Sequence, residues 1–173
     1  FAQTEFWLGF AEFLCLKLFG TPAASISMAS ATGLFNQRTY DWDWQSIEAL
    51  KLAPKTFPPI VIEPGNRFKS EFTNRWPALS DCALTVIVGD GAANNIGGGC
   101  TTNDRVALMV GTSGAMRTIH AGDPSQSLSM SLWSYRVDQR RVVTGGALSD
   151  GGGLYGWLTR SLLIDDLTTI DDQ

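Results

Sequence analysis

The amino-acid sequence predicts a fold of the α/β class, in which helices and strands share a hydrophobic core. Residues 5–19 are rich in Leu, Phe and Trp and lack proline, which indicates a mostly buried helix. Residues 83–88 form an apolar, largely β-branched run, as expected of a strand that helices cover on both faces. That run leads directly into Gly89, Asp90 and Gly91, where small residues favour the start of another helix.

Composition narrows the class of protein before any motif is considered. The chain has 173 residues, enough for one domain or for parts of two, and its formal net charge is −4. This acidic balance excludes polyanion binding as the main role, since nucleic-acid backbones require clustered positive charge. A hydrophobic content of 44% against 17% charged residues excludes a disordered chain. No apolar run reaches the roughly 20 residues of a membrane helix, so neither nucleic acid nor membrane is a predicted partner.

Upstream of residue 83 the predicted elements are short. Gly20 and Pro22 end the first helix, because glycine caps a helix C-terminus and proline does not continue it. Asp43 is the predicted N-cap of a helix over residues 44–50. Residues 24–31 are predicted to form a close-packed connection and residues 33–38 an extended piece. Residues 60–62 are a predicted strand that ends in a turn at residues 63–65. Residues 64–80 are a predicted polar surface connection.

Downstream of residue 100, predicted strands alternate with turns. Residues 106–110 are a second apolar strand, and residues 115–120 are its predicted antiparallel partner. Residues 132–137 and 141–144 are predicted to form a hairpin, and residues 154–163 a final helix.

Charged and sulfur-containing side chains give few further signals. The three arginines that flank the predicted hairpin tip are expected to be solvated; they are Arg136, Arg140 and Arg141. The three cysteines lie far apart without the spacing of a metal site, which favours reduced thiols in a cytoplasmic protein; they are Cys15, Cys82 and Cys100.

Glycine is unevenly distributed along the chain. Fourteen of the eighteen glycines lie between residues 86 and 156, mostly after predicted strands or before predicted helices. The backbone approaches a ligand or another segment closely at such positions. Three glycine clusters are therefore the candidates for function.

The first cluster places Asp90 between two glycines at a strand end. A carboxylate there faces the crevice at the sheet edge, and a helix N-terminus stabilises its charged form. Such an aspartate can accept the proton of a hydroxyl group that attacks phosphorus. The alternative is that Asp90 simply caps the helix.

The second and third clusters offer backbone N–H groups to an anion. The turn Gly111-Thr112-Ser113-Gly114 can hold phosphate oxygens, although an ordinary hairpin turn explains it equally well. Residues 145–146 and 151–153 precede a helix, where a nucleotide can bind or where a helix can pack closely on a sheet. Neither the phosphate-binding loop of P-loop proteins nor the dinucleotide-binding fingerprint is present.

Taken in order, these clusters resemble the FGGY family of carbohydrate kinases, within the actin-like, ribonuclease-H-like ATPases. The stretches that match are residues 89–97 (GDGAANNIG), 107–117 (ALMVGTSGAMR) and 145–158 (GGALSDGGGLYGWL). Residues 29–36 (ASATGLFN), followed by Trp44, also look like the family's first domain. Within the family, the chain is most similar to the gluconate-kinase branch.

The resemblance implies a role for each matching residue. Asp90 corresponds to the catalytic base that also contacts the bound sugar and, through water, Mg²⁺. Gly91 follows it at a substrate-binding position where other branches carry a polar side chain. The nucleotide-binding positions implied by the resemblance are Gly111, Thr112, Ser113 and Gly152.

The resemblance also implies a domain organisation and a function. The family's N-terminal phosphate loop and late adenosine motif have no counterpart here, so an internal fragment with parts of two domains is expected. Residues 1–99 correspond to the end of the first domain and residues 100–173 to the start of the second. The implied activity is ATP- and Mg²⁺-dependent phosphorylation of a sugar or sugar acid in the cytoplasm, with homodimer formation as an option. Gluconate is the first choice; xylulose, glycerol and a non-catalytic binding role are the alternatives.

Overall fold

The structure is a computed structural model and describes residues 3–62, 67–83, 85 and 87–162. Helices and strands alternate along the chain, which confirms the predicted α/β class. The helices are α1 (Phe10–Phe19), α2 (Ile26–Ser30), α3 (Trp44–Ala49), α4 (Ser70–Arg75), α5 (Asp90–Gly97) and α6 (Gly152–Ser161). The strands are β1 (Ala24–Ser25), β2 (Phe35–Asn36), β3 (Asp41–Trp42), β4 (Ile60–Val61), β5 (Val106–Val110), β6 (Gly114–Ala121), β7 (Trp133–Arg136) and β8 (Arg141–Leu148).

The described strands form one large sheet and two small pairs. The large sheet is antiparallel, has the strand order β5-β6-β8-β7, and confirms the predicted pairing and hairpin of the downstream region. Upstream, β1 pairs with β4 in parallel and β2 pairs with β3 in antiparallel orientation. Gly145 and Gly146, expected before a helix, lie instead within β8, where Gly145 is opposite Arg117.

The described residues contain two hydrophobic clusters, the second of which joins α5 to the large sheet. The upstream cluster packs Ile47 of α3 against Phe35 and Trp42, the facing residues of the β2–β3 pair. The downstream cluster packs Ala92 of α5 against Ile119 on β6. Because α5 lies on the large sheet through this contact, its first residue is held at the sheet face.

The predicted helix ends agree well with the structure. Gly20 has a φ of +87° and donates its N–H to the carbonyl of Leu16, closing α1 as expected. Asp43 caps α3 by accepting the N–H of Ser46. The start of α1 differs from the prediction, since the helix begins at Phe10 rather than near residue 5. Phe10 is 76% exposed, so α1 is also less buried than its apolar sequence indicated.

The predicted strand over residues 83–88 was wrong for the residues that the structure describes there. None of these residues belongs to a strand; they are Ala83, Thr85, Ile87 and Val88. Instead, the Ser25 hydroxyl donates to the carbonyl of Ile87, a contact that the apolar pattern of the segment does not encode. The polar connection predicted over residues 64–80 was also incomplete, because it contains α4 and a 3₁₀ turn at Pro77–Asp81. The turn predicted at residues 63–65 lies outside the described residues.

Arg136 corrects the expectation of a solvated hairpin tip, because this residue is 0% exposed. Its guanidinium forms an ion pair with Asp123 at 2.5 Å and donates to the carbonyl of Gln37. It also lies 4.5 Å from the centre of the Tyr40 ring. A guanidinium is buried at acceptable cost only when its N–H groups find such partners. Arg140 is exposed, and Arg141 is half-buried and paired with Asp138.

Candidate active site

Asp90 is the first residue of α5 and its side chain is exposed. The N-cap is the preceding Gly89, so capping does not account for Asp90. One carboxylate oxygen of Asp90 accepts the N–H of Gly91 at 2.6 Å, within its own first helical turn. Gly89 is itself held by the hydroxyl of Ser27, which accepts its N–H at 3.0 Å. The carboxylate therefore lies at the start of α5, where hydrogen bonds hold the backbone at both Gly89 and Gly91.

Gly91 is packed closely by two side chains from the large sheet. A Cβ at this position would lie 2.7 Å from the Tyr135 hydroxyl and 2.9 Å from Nε of Arg117. Arg117 comes from β6 and Tyr135 from β7. A side chain at residue 91 would thus displace one or both of them.

Arg117 is held in place through its backbone and its aromatic neighbour. The side-chain amide of the buried Asn95, one helical turn beyond Gly91, donates to the backbone carbonyl of Arg117 at 3.1 Å. The guanidinium lies 5.7 Å from the centre of the Trp133 ring. Its Nε and Nη1 atoms are buried and have no hydrogen-bond partner among the described residues, and neither does the amide oxygen of Asn95.

The pKa of the Tyr135 hydroxyl depends on burial and on the charges of Arg117 and Asp90. Burial raises the pKa of Tyr135, the Arg117 guanidinium lowers it, and the Asp90 carboxylate raises it again. The net result is a raised pKa, so the phenol stays protonated at neutral pH. Asp90, Arg117 and Tyr135 therefore form one electrostatic cluster, although Asp90 and Arg117 make no ion pair within the described residues.

The two other glycine clusters lie against each other. The N–H of Gly151 donates to the carbonyl of Thr112 at 2.9 Å, and that of Gly152 to the carbonyl of Gly111 at 2.6 Å. A Cβ on Gly152 would meet that same Gly111 oxygen at 2.9 Å. Close backbone packing thus explains part of the glycine content. It also joins Gly111, Thr112 and Gly152 into one surface.

The N-terminus of α6 is already satisfied by the chain itself. A carboxylate oxygen of Asp150 accepts the N–H of Leu154 at 3.0 Å. The N–H groups of Gly151 and Gly152 are used by the neighbouring turn. Thr112 and Ser113, by contrast, are exposed and offer their hydroxyls to solvent.

Strand β6 connects this glycine surface with the cluster around Asp90. It begins at Gly114, directly after the turn, and reaches Arg117 three residues later. At about 3.3 Å per residue, the two are about 10 Å apart along the strand. A bound molecule of nucleotide or sugar size can span that separation.

A family model described as the N-terminal domain of the FGGY family of carbohydrate kinases matches residues 1–97. The chain belongs to the FGGY family of carbohydrate kinases. The gluconokinase of Bacillus subtilis (strain 168) is 24% identical over 170 residues, 97% of this chain and 33% of that protein. The chain therefore spans about a third of the length of this relative.

Solved structures of FGGY kinases share the fold. A gluconate kinase from Lactobacillus acidophilus is 31% identical with a TM-score of 0.83, over 91% of this chain and 32% of that chain. A ligand-bound xylulose kinase from the same organism is 30% identical with a TM-score of 0.84, over 96% of this chain and 34% of that chain. The predicted actin-like ATPase fold is thereby confirmed for this FGGY chain.

A cavity close to Asp90 is lined by other residues of this FGGY chain. It has a volume of about 370 Å³ and lies beside the segment that leads into α5. It is lined by Ser25, Ile26, Ser27, Val61, Ile62, Ile87, Val88, Val137, Asp138, Gln139, Arg140 and Arg141. Its walls combine aliphatic side chains with two serines, Gln139, Arg140 and the ion-paired Asp138 and Arg141, and we assign it no chemistry.

The residues of the FGGY site fit only part of a magnesium site. Within the described part of the chain, no group of three or more His, Cys, Asp or Glu side chains is placed to hold a metal ion. A single exposed carboxylate such as Asp90 fits Mg²⁺ that keeps its water ligands, because Mg²⁺ dehydrates reluctantly and is bound through few carboxylates. No helix among the described residues is long and apolar enough to span a bilayer.

Sequence reasoning missed two residues of the cluster. Tyr135 was part of a predicted strand, and Arg117 only ended a matching stretch. A usable signal was present on β6, where Ala115 and Ile119 are buried and Arg117 lies between them on the same face. A charged residue at a core-facing position indicates a special role.

Proposed function

We propose that the whole protein transfers the γ-phosphoryl group of ATP to a hydroxyl of gluconate, with Asp90 as the general base. One observation carries this proposal: an exposed carboxylate stands at the fixed start of α5, in a chain of a carbohydrate-kinase family. Kinases of this family use ATP. The proposed base has no ion-pair partner within the described residues, so it is available to a substrate.

Two matches support gluconate as the first choice of substrate. A gluconokinase matches almost the whole chain, and a gluconate kinase matches in structure. A xylulose kinase matches in structure equally well, and glycerol kinases match in sequence. Xylulose and glycerol are therefore the alternative substrates to be tested beside gluconate.

The proposed chemistry assigns one task to each group. Asp90 accepts the proton of the substrate hydroxyl while its oxygen forms the new bond to phosphorus and the bond to the ADP leaving group breaks. Gly91 lies beside the substrate at the start of α5, with Tyr135 and Arg117 packed against it. The exposed hydroxyl groups of Thr112 and Ser113 hold phosphate oxygens, Gly111 shapes their turn through its own backbone hydrogen bonds, and Gly152 lies beside the nucleotide.

Magnesium would neutralise phosphate charge when bound, and Asp90 would hold it through a water molecule. The domain assignment extends the same proposal, with residues 1–99 in the first domain and residues 100–173 in the second. We also propose a cytoplasmic location, which fits the use of ATP and three free cysteines. Homodimer formation stays a prediction.

The test replaces Asp90 in the protein encoded by the complete reading frame that contains this chain. Asp90→Asn keeps the shape of the side chain and removes its basicity. We expect kcat with Mg-ATP and gluconate to fall by roughly a hundredfold to ten-thousandfold, with KM changed much less. Asp81→Asn, at an equally exposed aspartate, is the matched control and should leave kcat unchanged.

Each other outcome contradicts a defined part of the proposal. Turnover of xylulose or glycerol but not gluconate would retain the kinase and reject the substrate. Full activity of the Asp90→Asn variant would contradict the role of Asp90 as the general base. Sugar or ATP binding without turnover of any substrate would favour a non-catalytic binding protein of the same fold.

A further inference from the structure

The strongest unexplained feature of the molecule is the Arg117 guanidinium. Its Nε and Nη1 groups are buried and have no acceptor in the part of the chain that the structure describes. Unpaired buried donors are costly, the more so on a charged group, and proteins satisfy nearly all of them. Arg136, which is fully buried, shows what this chain provides when a guanidinium has a structural role: a carboxylate and three backbone carbonyls.

The surroundings of Arg117 keep its donors free. Its nearest ring, Trp133, offers only a π face, and the adjacent residue 91 has no side chain. Asn95 uses its amide on the Arg117 backbone and leaves the guanidinium alone. Asp90 directs one carboxylate oxygen to Gly91 and makes no ion pair with Arg117 within the described residues.

These observations describe a cation placed beside the proposed base without a counter-ion. Arg117 is only partly buried as a residue, so part of its side chain is accessible to a ligand. A guanidinium presents paired N–H groups whose fork matches the two oxygens of a carboxylate or phosphoryl group. The missing partner is therefore an oxyanion next to Asp90 and Gly91.

We propose that Arg117 is an oxyanion-binding residue of this site, taking the carboxylate of a sugar-acid substrate or the phosphoryl group in transfer. The inference rests on the proposed function and names the group by which a charged substrate is recognised. The position of Arg117 depends on Gly91, because a side chain at residue 91 would occupy the space of the guanidinium. A family member with a polar side chain at position 91 would then contact its sugar through α5. This chain would contact its substrate through Arg117 on β6.

The experiment measures dissociation constants by titration calorimetry on the protein encoded by the complete reading frame. The probes are gluconate, glucitol, which has a hydroxymethyl group in place of the carboxylate, and inorganic phosphate. The variants are Arg117→Gln, Arg117→Lys, and Arg38→Gln as a control at an exposed arginine. Thermal melting of each variant identifies any that fails to fold.

If the carboxylate is the ligand, Arg117→Gln weakens gluconate roughly tenfold to a hundredfold and leaves glucitol unchanged. If the phosphoryl group is the ligand, the same variant weakens phosphate and leaves the difference between gluconate and glucitol intact. Arg117→Lys retains part of the affinity in either case, because it keeps the charge and loses the fork. Unchanged affinity for both anions, with a lowered melting temperature alone, would overturn the proposal.

The same measurements separate this inference from the proposed function. Arg117-dependent binding without turnover of any sugar would reject the kinase activity and retain the oxyanion site. Turnover of gluconate with unchanged kcat and KM in a folded Arg117→Gln variant would retain the kinase and reject the site.

Discussion

Gly91 shows how one missing side chain shapes the candidate site. Its α-carbon faces the Tyr135 hydroxyl and the Arg117 guanidinium at distances that leave no room for a methyl group. We expect Gly91→Ala to lower the free energy of unfolding by about 1–3 kcal/mol, because over-packing forces both neighbours to move. Chemical denaturation followed by tryptophan fluorescence measures the change.

The control for that prediction lies in the same helix. Gly97 has open space around its α-carbon, so Gly97→Ala should be neutral or stabilise the chain by up to about 1 kcal/mol. Equal effects of the two substitutions would show that helix propensity, and not packing around residue 91, governs α5.

At the residue scale, sequence reasoning identified only the local half of the site. Asp90 and Gly91 are adjacent in the chain, and a strand-to-helix junction rich in small residues is visible without a structure. Arg117 and Tyr135 reach this point because β6 and β7 both pair with β8. Such contacts between distant segments depend on strand register, which the sequence pattern alone does not determine.

Among the elements, the β7–β8 hairpin depends on Asp138. Its carboxylate accepts the N–H groups of Arg140 and Arg141 and pairs with the Arg141 guanidinium at 2.6 Å. Partial burial raises the pKa of Asp138, but the hydrogen bonds from Arg141 and Arg140 outweigh it and hold the pKa below its usual value.

A depressed folded-state pKa fixes the sign of a pH effect. The stabilisation by Asp138 is complete above the pKa of an unfolded aspartate, about 3.9, and is lost as the pH falls through the lower folded-state value. We expect Asp138→Asn to be less stable than wild type at pH 7 and the difference to shrink below about pH 4. Denaturation curves between pH 2 and 7 measure it, and a constant difference would contradict the prediction.

The other determinant of this hairpin is the buried Arg136. Its guanidinium donates to carbonyls of Gln37, Gly122 and Gln139 and pairs with Asp123. Arg136→Met leaves these partly buried carbonyls without this donor and the exposed Asp123 without its ion-pair partner, so we expect a loss of about 1–3 kcal/mol in the free energy of unfolding. Arg38→Met, at an exposed arginine, is the control, and a similar small loss in both variants would contradict the role of Arg136.

Elements were predicted best where short-range rules decide them. Gly20, Asp43 and the hairpin around Asp138 each obey a local rule of capping or pairing, and the structure confirms each one. Residues 83–88 are the counterexample, because an apolar run becomes a strand only if another strand is available to pair with it. Arg136 was misjudged for a similar reason, since its partners Gln37 and Tyr40 lie about a hundred residues away.

At the scale of the whole molecule, β5 is a strand at one edge of the large sheet in the described part of the chain. It is the outer strand of the large sheet and exposes Val106, Leu108, Met109 and Val110. Exposed apolar edge strands promote association between chains, because their free N–H and carbonyl groups pair with another strand. We expect the 173-residue chain on its own to associate, and Leu108→Lys to shift sedimentation towards the monomer.

The control for the edge is an exposed leucine elsewhere. Leu50→Lys follows α3, away from the large sheet, and should leave the association unchanged. If both lysines suppress association equally, general solubility and not strand pairing would be the cause.

The contacts of Arg136 also have a consequence for motion. This residue joins segments on both sides of the proposed boundary at residues 99 and 100, through Gln37 and Tyr40 upstream and Asp123 downstream. Two bodies that rotate against each other keep a fixed contact only close to the axis of rotation. If the two parts close over a substrate, the segments joined by Arg136 and those joined by the contact of Ala92 with Ile119 stay together, and the movement is largest at the points farthest from them.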